Sequence, residues 1–219
     1  MFFDFFVLTV EYGMVFSIND LEPLKTKIMF SRVFTKSKKE TNIEVGSVLI
    51  AQPFWQDEKY RRSVIMILDH DQYGSKGIIL NKLSTLTVNE ALSELEVGLP
   101  LYYGGPMNPE MISFIHNYRS LPETFAMGNE LFFDGNYDYL LKMFQSKNIN
   151  LRKIRFYSGF VVWTAGQLES EIQEGKWWTS ELTANELFTT SPEELWKYEL
   201  LMDGHIYGLL NEIPDPGFN

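Results

Sequence analysis

Asp69-His70-Asp71 is the first place in this chain where residue types suggest chemistry. Two carboxylates around an imidazole offer metal ligation or acid–base work. Adjacent residues of a strand point to opposite faces, so Asp69 and His70 can share an ion only if the strand has already ended. A polar strand end explains the triplet without a ligand, and no metal site is assigned. His116 and His205 complete the set of histidines.

Gly74-Ser75-Lys76-Gly77 offers a serine hydroxyl inside a glycine-rich anion nest. It matches neither G-x-S-x-G nor the G-K-[ST] ending of a phosphate loop, and a hairpin turn would need the same glycines. Arg61-Arg62-Ser63 presents a clamp for a carboxylate or phosphate, with pairing to an acid such as Glu169 or Glu171 as the alternative. Gly104-Gly105-Pro106 reads as a strand end at positive φ. Gln167 and Glu171 share one helix face just beyond Trp163; they could line a cleft, with Trp163 packing beside them. No nucleophile stands at a catalytic spacing from a base. The candidate set is therefore one of binding: Arg62, Gly74, Ser75, Gly77, Gly104, Gly105, Trp163, Gln167 and Glu171. Glycine turns let backbone N–H groups approach an anion, and a helix start adds positive partial charge.

Short apolar runs must position these groups. Val48–Ala51, Val64–Leu68 and Ile78–Leu80 are too short for helices and read as strands buried on both faces. The link from Asp71 to Gly77 makes the second and third a hairpin. Further strands are expected at Leu101–Tyr103, Ile112–His116, Glu130–Phe133 and Arg155–Trp163. Thr87 and Glu90 form a capping box for a helix running to about Leu95. Tyr137, Leu140, Leu141 and Phe144 have helical spacing. Gln167 opens a helix to about Glu174. Ser191-Pro192 opens another to about Met202, with Gly204 as its stop. The mixture is α+β. One domain is expected over 46–210, preceded by an accessory segment (1–45) and followed by an irregular tail (211–219). Leu24, Ile28 and Val33 form a helical stripe in the accessory segment. Met1–Val15 is apolar but lacks a basic n-region and a cleavage site; it reads as a short strand or as sequence upstream of a start at Met14.

Composition removes several classes of function. The 219 residues contain no cysteine, which excludes disulfides, thiolate zinc sites and cysteine nucleophiles and fits a reducing, cytoplasmic setting. A net charge of -10 opposes phosphate backbones, so direct DNA binding is not expected. No apolar run reaches the roughly 20 residues that span a bilayer. The 165–203 segment is the most acidic, which points to a basic protein partner if that face has one.

Five separated blocks, GSVLIAQP, RRSVIMIL, GSKGIILNK, LYYGGP and GFVVWTAGQLESEI, resemble the YqgE/AlgH family. The ending Pro214–Asn219 is similar to the Bacteroidetes-type form. The resemblance implies an α+β fold with a bifurcated mixed/antiparallel sheet closing into a partial barrel, with flanking helices. Members of that family carry the label transcriptional regulator. The missing spacing between a nucleophile and a base favours a non-enzymatic regulatory or binding protein, expected without a cofactor and as a monomer or weak dimer. The family usually has a glycine before this tryptophan; here Val162 stands there, which puts close approach at that spot in question. The competing reading is a hydrolase-like enzyme or small-anion binder using a cleft near Arg62, Ser75 and Glu171. A pocket with Ser75 within hydrogen-bond reach of a base would favour the enzyme.

Overall fold

The computed structural model describes residues 43–202 except 54 and 56. The accessory segment up to residue 42, Asp203, Gly204, His205 and the tail 211–219 lie outside the described residues. Ten strands are described: β1 (Val48–Ala51), β2 (Val64–Asp71), β3 (Gly74–Ile79), β4 (Leu83–Thr87), β5 (Pro100–Tyr103), β6 (Met107–His116), β7 (Phe125–Gly128), β8 (Leu131–Phe133), β9 (Ile154–Thr164) and β10 (Trp177–Ser180). Five α-helices accompany them: α1 (Val88–Ala91), α2 (Tyr137–Gln145), α3 (Gln167–Gln173), α4 (Ala184–Thr189) and α5 (Pro192–Met202). The architecture is α+β, and its sheet is mostly antiparallel.

The sheet runs β10-β1-β2-β3-β9-β6-β8-β7, with β5 and β4 off this path. It branches at β9. One edge of β9 carries β6. The other is divided: β5 takes Phe156–Ser158 in parallel, and β3 takes Val161–Thr164 in antiparallel pairing. Gly104 stitches the branch point. Its N–H donates to the Ser158 carbonyl at 2.8 Å, and its carbonyl accepts from the Ile79 N–H at 2.8 Å. Side chains have no room here. A Cβ on Gly104 would stand 2.3 Å from the Gly159 carbonyl oxygen, and one on Gly105 would stand 2.2 Å from the Phe160 carbonyl carbon.

β1, β2 and β3 form the centre, and the apolar residues of their runs are fully buried except the half-buried Leu68, as continuous apolar strands require. One face packs Val48, Ile50, Met66 and Tyr157 under Leu187 of α4 and Leu195 and Trp196 of α5. The Trp196 indole N–H donates to the Ala51 carbonyl at 2.7 Å, fixing α5 on the end of β1. The opposite face packs Leu49, Ile65, Ile67 and Trp163 beneath Leu168 of α3. A third cluster joins Leu101, Phe114 and Phe156 to Leu140 of α2.

Several expectations need correction. Gly74–Gly77 is not a turn: it lies inside β3, paired on both sides, and the hairpin turns at Gln72 and Tyr73. Gly77 is needed for packing, since a Cβ there would meet the Ile65 side chain at 2.8 Å and the Trp163 ring at 3.0 Å. α1 has the expected Thr87–Glu90 capping box but ends at Ala91, because Leu92 leaves helical geometry. Closure into a partial barrel is not among the pairings of the described residues. The β7–β8 hairpin instead meets the approach to β1 and the start of α4 at single points. Gly46, just ahead of β1, abuts the Met127 backbone of β7 so closely that its Cβ would fall 2.0 Å from the carbonyl oxygen. The Ala184 N–H donates to the Asn129 carbonyl at 3.1 Å.

The branch point generates a paired prediction. Gly104→Ala should destabilise the fold by about 3 kcal/mol or more, because the clash is with backbone that cannot move aside. Gly98→Ala, where a Cβ meets nothing within 4 Å, should leave the urea midpoint almost unchanged. Equal midpoints for the two variants would refute this account of the branch.

Candidate functional site

The end of β9 and the first turns of α3 bring together four of the nine sequence candidates, Ser75, Trp163, Gln167 and Glu171. Ser75 pairs across the ladder with His70 on β2 and with Trp163 on β9, and paired residues share a face. That face is the one covered by α3. The Ser75 hydroxyl lies 2.8 Å from His70 Nδ1, and His70 Nε2 lies 3.8 Å from Glu169 Oε1 on α3, an ion pair when the imidazole is protonated. The result is a serine–histidine–glutamate line. Ser75, however, is only 6% exposed, in the middle of a strand with neighbours on both sides.

Glu171 sits beside this line in a separate network. Its Oε2 accepts from the Trp163 indole N–H at 2.9 Å and from the Trp177 indole N–H at 2.8 Å. Its Oε1 accepts from the Gln167 side-chain amide at 3.0 Å. Gln167 Oε1 in turn accepts from the Thr164 N–H at 3.0 Å. One carboxylate thus latches β9, β10 and the start of α3. Trp55 and Tyr60 enclose it, with Trp55 edge-on to Trp177 at 4.5 Å between centroids. Burial, then the charges of Asp57 and Glu171, push the Tyr60 hydroxyl above its ordinary pKa.

The remaining candidates lie elsewhere. Arg62 is exposed, at φ 54°, with its guanidinium 5.5 Å from the Trp196 ring centroid. Trp196 packs on the face opposite α3, so Arg62 joins neither Ser75 nor Glu171, and the expected three-residue cleft does not form. The pairing of Arg62 with Glu169 or Glu171 is likewise replaced by the aromatic ring. Asn81 fixes the local backbone: its amide donates to the Arg62 carbonyl at 2.8 Å and its oxygen accepts from the Val64 N–H at 2.9 Å. Gly104 and Gly105 are buried at the branch, not in a ligand-facing turn. Gly74 and Gly77 spend their backbone groups in ladders, so no anion nest forms. Val162 points outward, 47% exposed, and obstructs nothing.

Sequence reasoning missed the bond between His70 and Ser75. A two-residue turn at Gln72 and Tyr73 sets residue 70 opposite residue 75, so the register was the available signal. The expected acidic face is smaller than the count of carboxylates. Glu186 caps α4 by accepting from the Thr183 N–H at 2.8 Å, and Glu199, fully buried, accepts from Ser180 at 3.1 Å. Glu174, Glu181, Glu193 and Glu194 are exposed.

His116 belongs to a buried polar knot instead. Its Nδ1 accepts from the Tyr118 N–H at 3.0 Å, which places the proton on Nε2 to donate to the Asp134 carbonyl at 2.9 Å. Burial lowers its pKa, against a smaller upward pull from that carbonyl. The Asp134 carboxyl accepts from the Phe114 N–H at 2.9 Å, yet burial raises its pKa from 3.8 to about 6.

Two predictions arise from these networks. Glu171→Ala leaves two indole N–H groups without an acceptor and should lower stability by roughly 2–4 kcal/mol, read by urea unfolding with a shift in tryptophan emission; an unchanged midpoint would remove the latch. The Asp134 pKa is higher folded than unfolded, so its ionisation weakens the fold as pH rises from about 4 to 6. Asp134→Asn keeps the neutral acceptor and should be more stable than the parent at pH 7.5 by roughly 1–3 kcal/mol. The difference should vanish below about pH 4. A variant less stable at pH 7.5 would reverse the sign and overturn the assignment.

The comparisons with known proteins agree with this fold. The AlgH-like family model matches residues 48–205. A UPF0301 protein of Parabacteroides distasonis is 34% identical over 179 residues, spanning 80% of this chain and 90% of its own. One from Bacteroides thetaiotaomicron is 31% identical over 177 residues, spanning 80% and 90%. The solution structure of the AlgH protein from Pseudomonas aeruginosa superposes with a TM-score of 0.62 at 25% identity, covering 84% of this chain and all of that one (100%). A crystal structure from Corynebacterium diphtheriae shares the fold with a TM-score of 0.63 at 23% identity, over 76% of this chain and 90% of that one. With the family model matching most of the sequence and Bacteroidetes relatives above 30% identity across four-fifths of it, the chain belongs to the AlgH-like family.

Proposed function

We propose that this protein is a non-enzymatic regulatory or binding protein that acts on another protein. The observation that carries this reading is that the polar groups a hydrolase would need are already spent inside the fold. The Ser75 hydroxyl is buried against His70, and the Glu171 carboxylate holds three donors from two aromatic residues and a glutamine. Arg62 is on the far side of the sheet from both. A nucleophile must reach its substrate, and an oxyanion needs unpaired donors beside it. The N–H groups around Ser75 lie in ladders on both sides of β3. A transcriptional role would run through a protein partner, since a net charge of -10 opposes direct contact with duplex DNA. The exposed Glu174, Glu181, Glu193 and Glu194 favour a basic surface on that partner.

The bond between Ser75 and His70 is what a hydrolase reading would use, and it can be tested alone. Full-length protein treated with a fluorophosphonate probe at pH 7.5 should remain unlabelled. Stoichiometric labelling that disappears in both Ser75→Ala and His70→Ala would establish an activated serine and end the non-enzymatic reading.

A further inference from the structure

Where the 3-10 turn Leu151–Lys153 meets α4, the surface opens into a groove of about 680 Å³. That volume lies in the range of small-molecule sites. A narrower chamber of about 170 Å³ adjoins it, and Arg152 and Phe188 line both. The two differ in chemistry. The chamber is walled by apolar side chains, among them Phe188 and Leu151, and Leu151 is 40% exposed. The groove adds Lys153, Asn117 and Asn185, against one acid, Glu130. Arg155 also borders the chamber, but its guanidinium is committed to the core: it donates to the Thr190 carbonyl at 2.9 Å and lies 5.0 Å from the Tyr102 ring centroid. It offers nothing to a ligand.

Arg152 and Lys153 are exposed, and among the described residues neither has an ion-pair partner. In a chain of net charge -10, two adjacent cations without a carboxylate reverse the local sign. Screening confines each charge to about 10 Å, so a small anion here meets this pair more than the distant acids. The turn that presents them is held firmly. Asn150 Oδ1 accepts from the Arg152 N–H at 3.0 Å, and the Tyr118 hydroxyl donates to the Asn150 carbonyl at 2.8 Å. The Asn117 N–H donates to the Lys153 carbonyl at 3.0 Å, which sets Asn117 beside the cations. The side-chain amides of Asn117 and Asn185 make no hydrogen bond among the described residues. Each keeps two donors and an acceptor for a ligand.

The geometry points to a site for a nucleoside monophosphate: its phosphate takes Arg152 and Lys153, its base enters the chamber against Phe188 and Leu151, and its ribose and base edge meet the amides of Asn117 and Asn185. A guanidinium matches phosphate oxygens in two-point contact. Any base gains from an aromatic face, and a carboxamide pairs with a base edge through one donor and one acceptor. Simpler ligands leave part of the site idle. Inorganic phosphate uses the cations alone, and an acidic peptide has no planar ring for the chamber. A nucleic-acid strand is disfavoured for another reason: beyond this pair of cations the acidic surface opposes further phosphates. The site stands independently of the protein-partner reading, and neither result with the fluorophosphonate probe bears on it.

The test uses full-length protein, titrated separately with AMP, GMP, CMP and UMP, with the four matching nucleosides, with inorganic phosphate, and with an amidated glutamate-alanine hexapeptide, read by thermal shift and calorimetry. At least one nucleotide should raise the melting temperature saturably, with its nucleoside and inorganic phosphate each weaker. Because both cations are exposed, Arg152→Ala and Lys153→Ala should keep the unliganded melting temperature. Each should weaken that nucleotide roughly tenfold, the loss of one charged contact, and leave the nucleoside unchanged. Leu151→Ser should weaken nucleotide and nucleoside alike. No saturable shift with any of the four nucleotides would overturn the proposal. So would a nucleotide affinity unaltered in both Arg152→Ala and Lys153→Ala, or phosphate matching the nucleotides, which indicates a general anion patch only. Tighter binding of the hexapeptide than of every nucleotide would also overturn it, assigning the groove to a protein chain.

Discussion

Backbone packed directly on backbone at Gly104, Gly105 and Gly159 is the constraint from which the rest of this structure follows. Gly159 lies at φ 68° within β9 and would carry its Cβ to 2.4 Å from the Gly105 carbonyl oxygen. With no side chain on either segment, β5 can leave β9 while β3 takes over the same edge within two residues. A single substitution would push the two strands apart, and with them the two halves of the core. The β1–β2–β3 layer and the β6–β8–β7 layer are then both anchored on one eleven-residue strand.

Downstream of that junction, the end of β9 has to be tied back. The Glu171 latch does this with one carboxylate serving two indoles and a glutamine, so β9, α3 and β10 become one unit. Charged acceptors make stronger bonds than neutral ones, and the two indoles this carboxylate holds, Trp163 and Trp177, are themselves buried. The same residues look catalytic in the sequence because catalysis and latching draw on the same side-chain types. Geometry separates them: a latch has all its partners inside the fold, whereas a catalyst leaves some for a substrate.

What the sequence made legible was whatever depended on local pattern. The three buried strands, the Thr87 box, the α2 periodicity and the Ser191-Pro192 start appear where their residues indicate, and the hairpin is present with its turn moved to Gln72 and Tyr73. β4, β7 and β10 were missed because they are short, and β4 alternates poorly, with Leu83 and Leu86 both exposed. The helix α4 was legible but unread: Thr183 and Glu186 have the same capping-box spacing as Thr87 and Glu90. The glycines were noticed for the wrong reason. A turn and a backbone-to-backbone contact both demand glycine, and only the positions of residues far along the chain distinguish them. Arg62 was misplaced for a related cause, since nothing near residue 62 reveals that Trp196 will cover that spot.

The junction also divides the molecule in time. The β2–β3 hairpin closes around two residues, whereas Gly104 must find Gly159 across roughly fifty, a larger loop-closure entropy. Contacts of such separation slow folding more than they alter final stability. A nascent chain will therefore hold its first hairpin long before β9 arrives to join it, and until then the edge of β3 that β9 later covers stands open to any other strand.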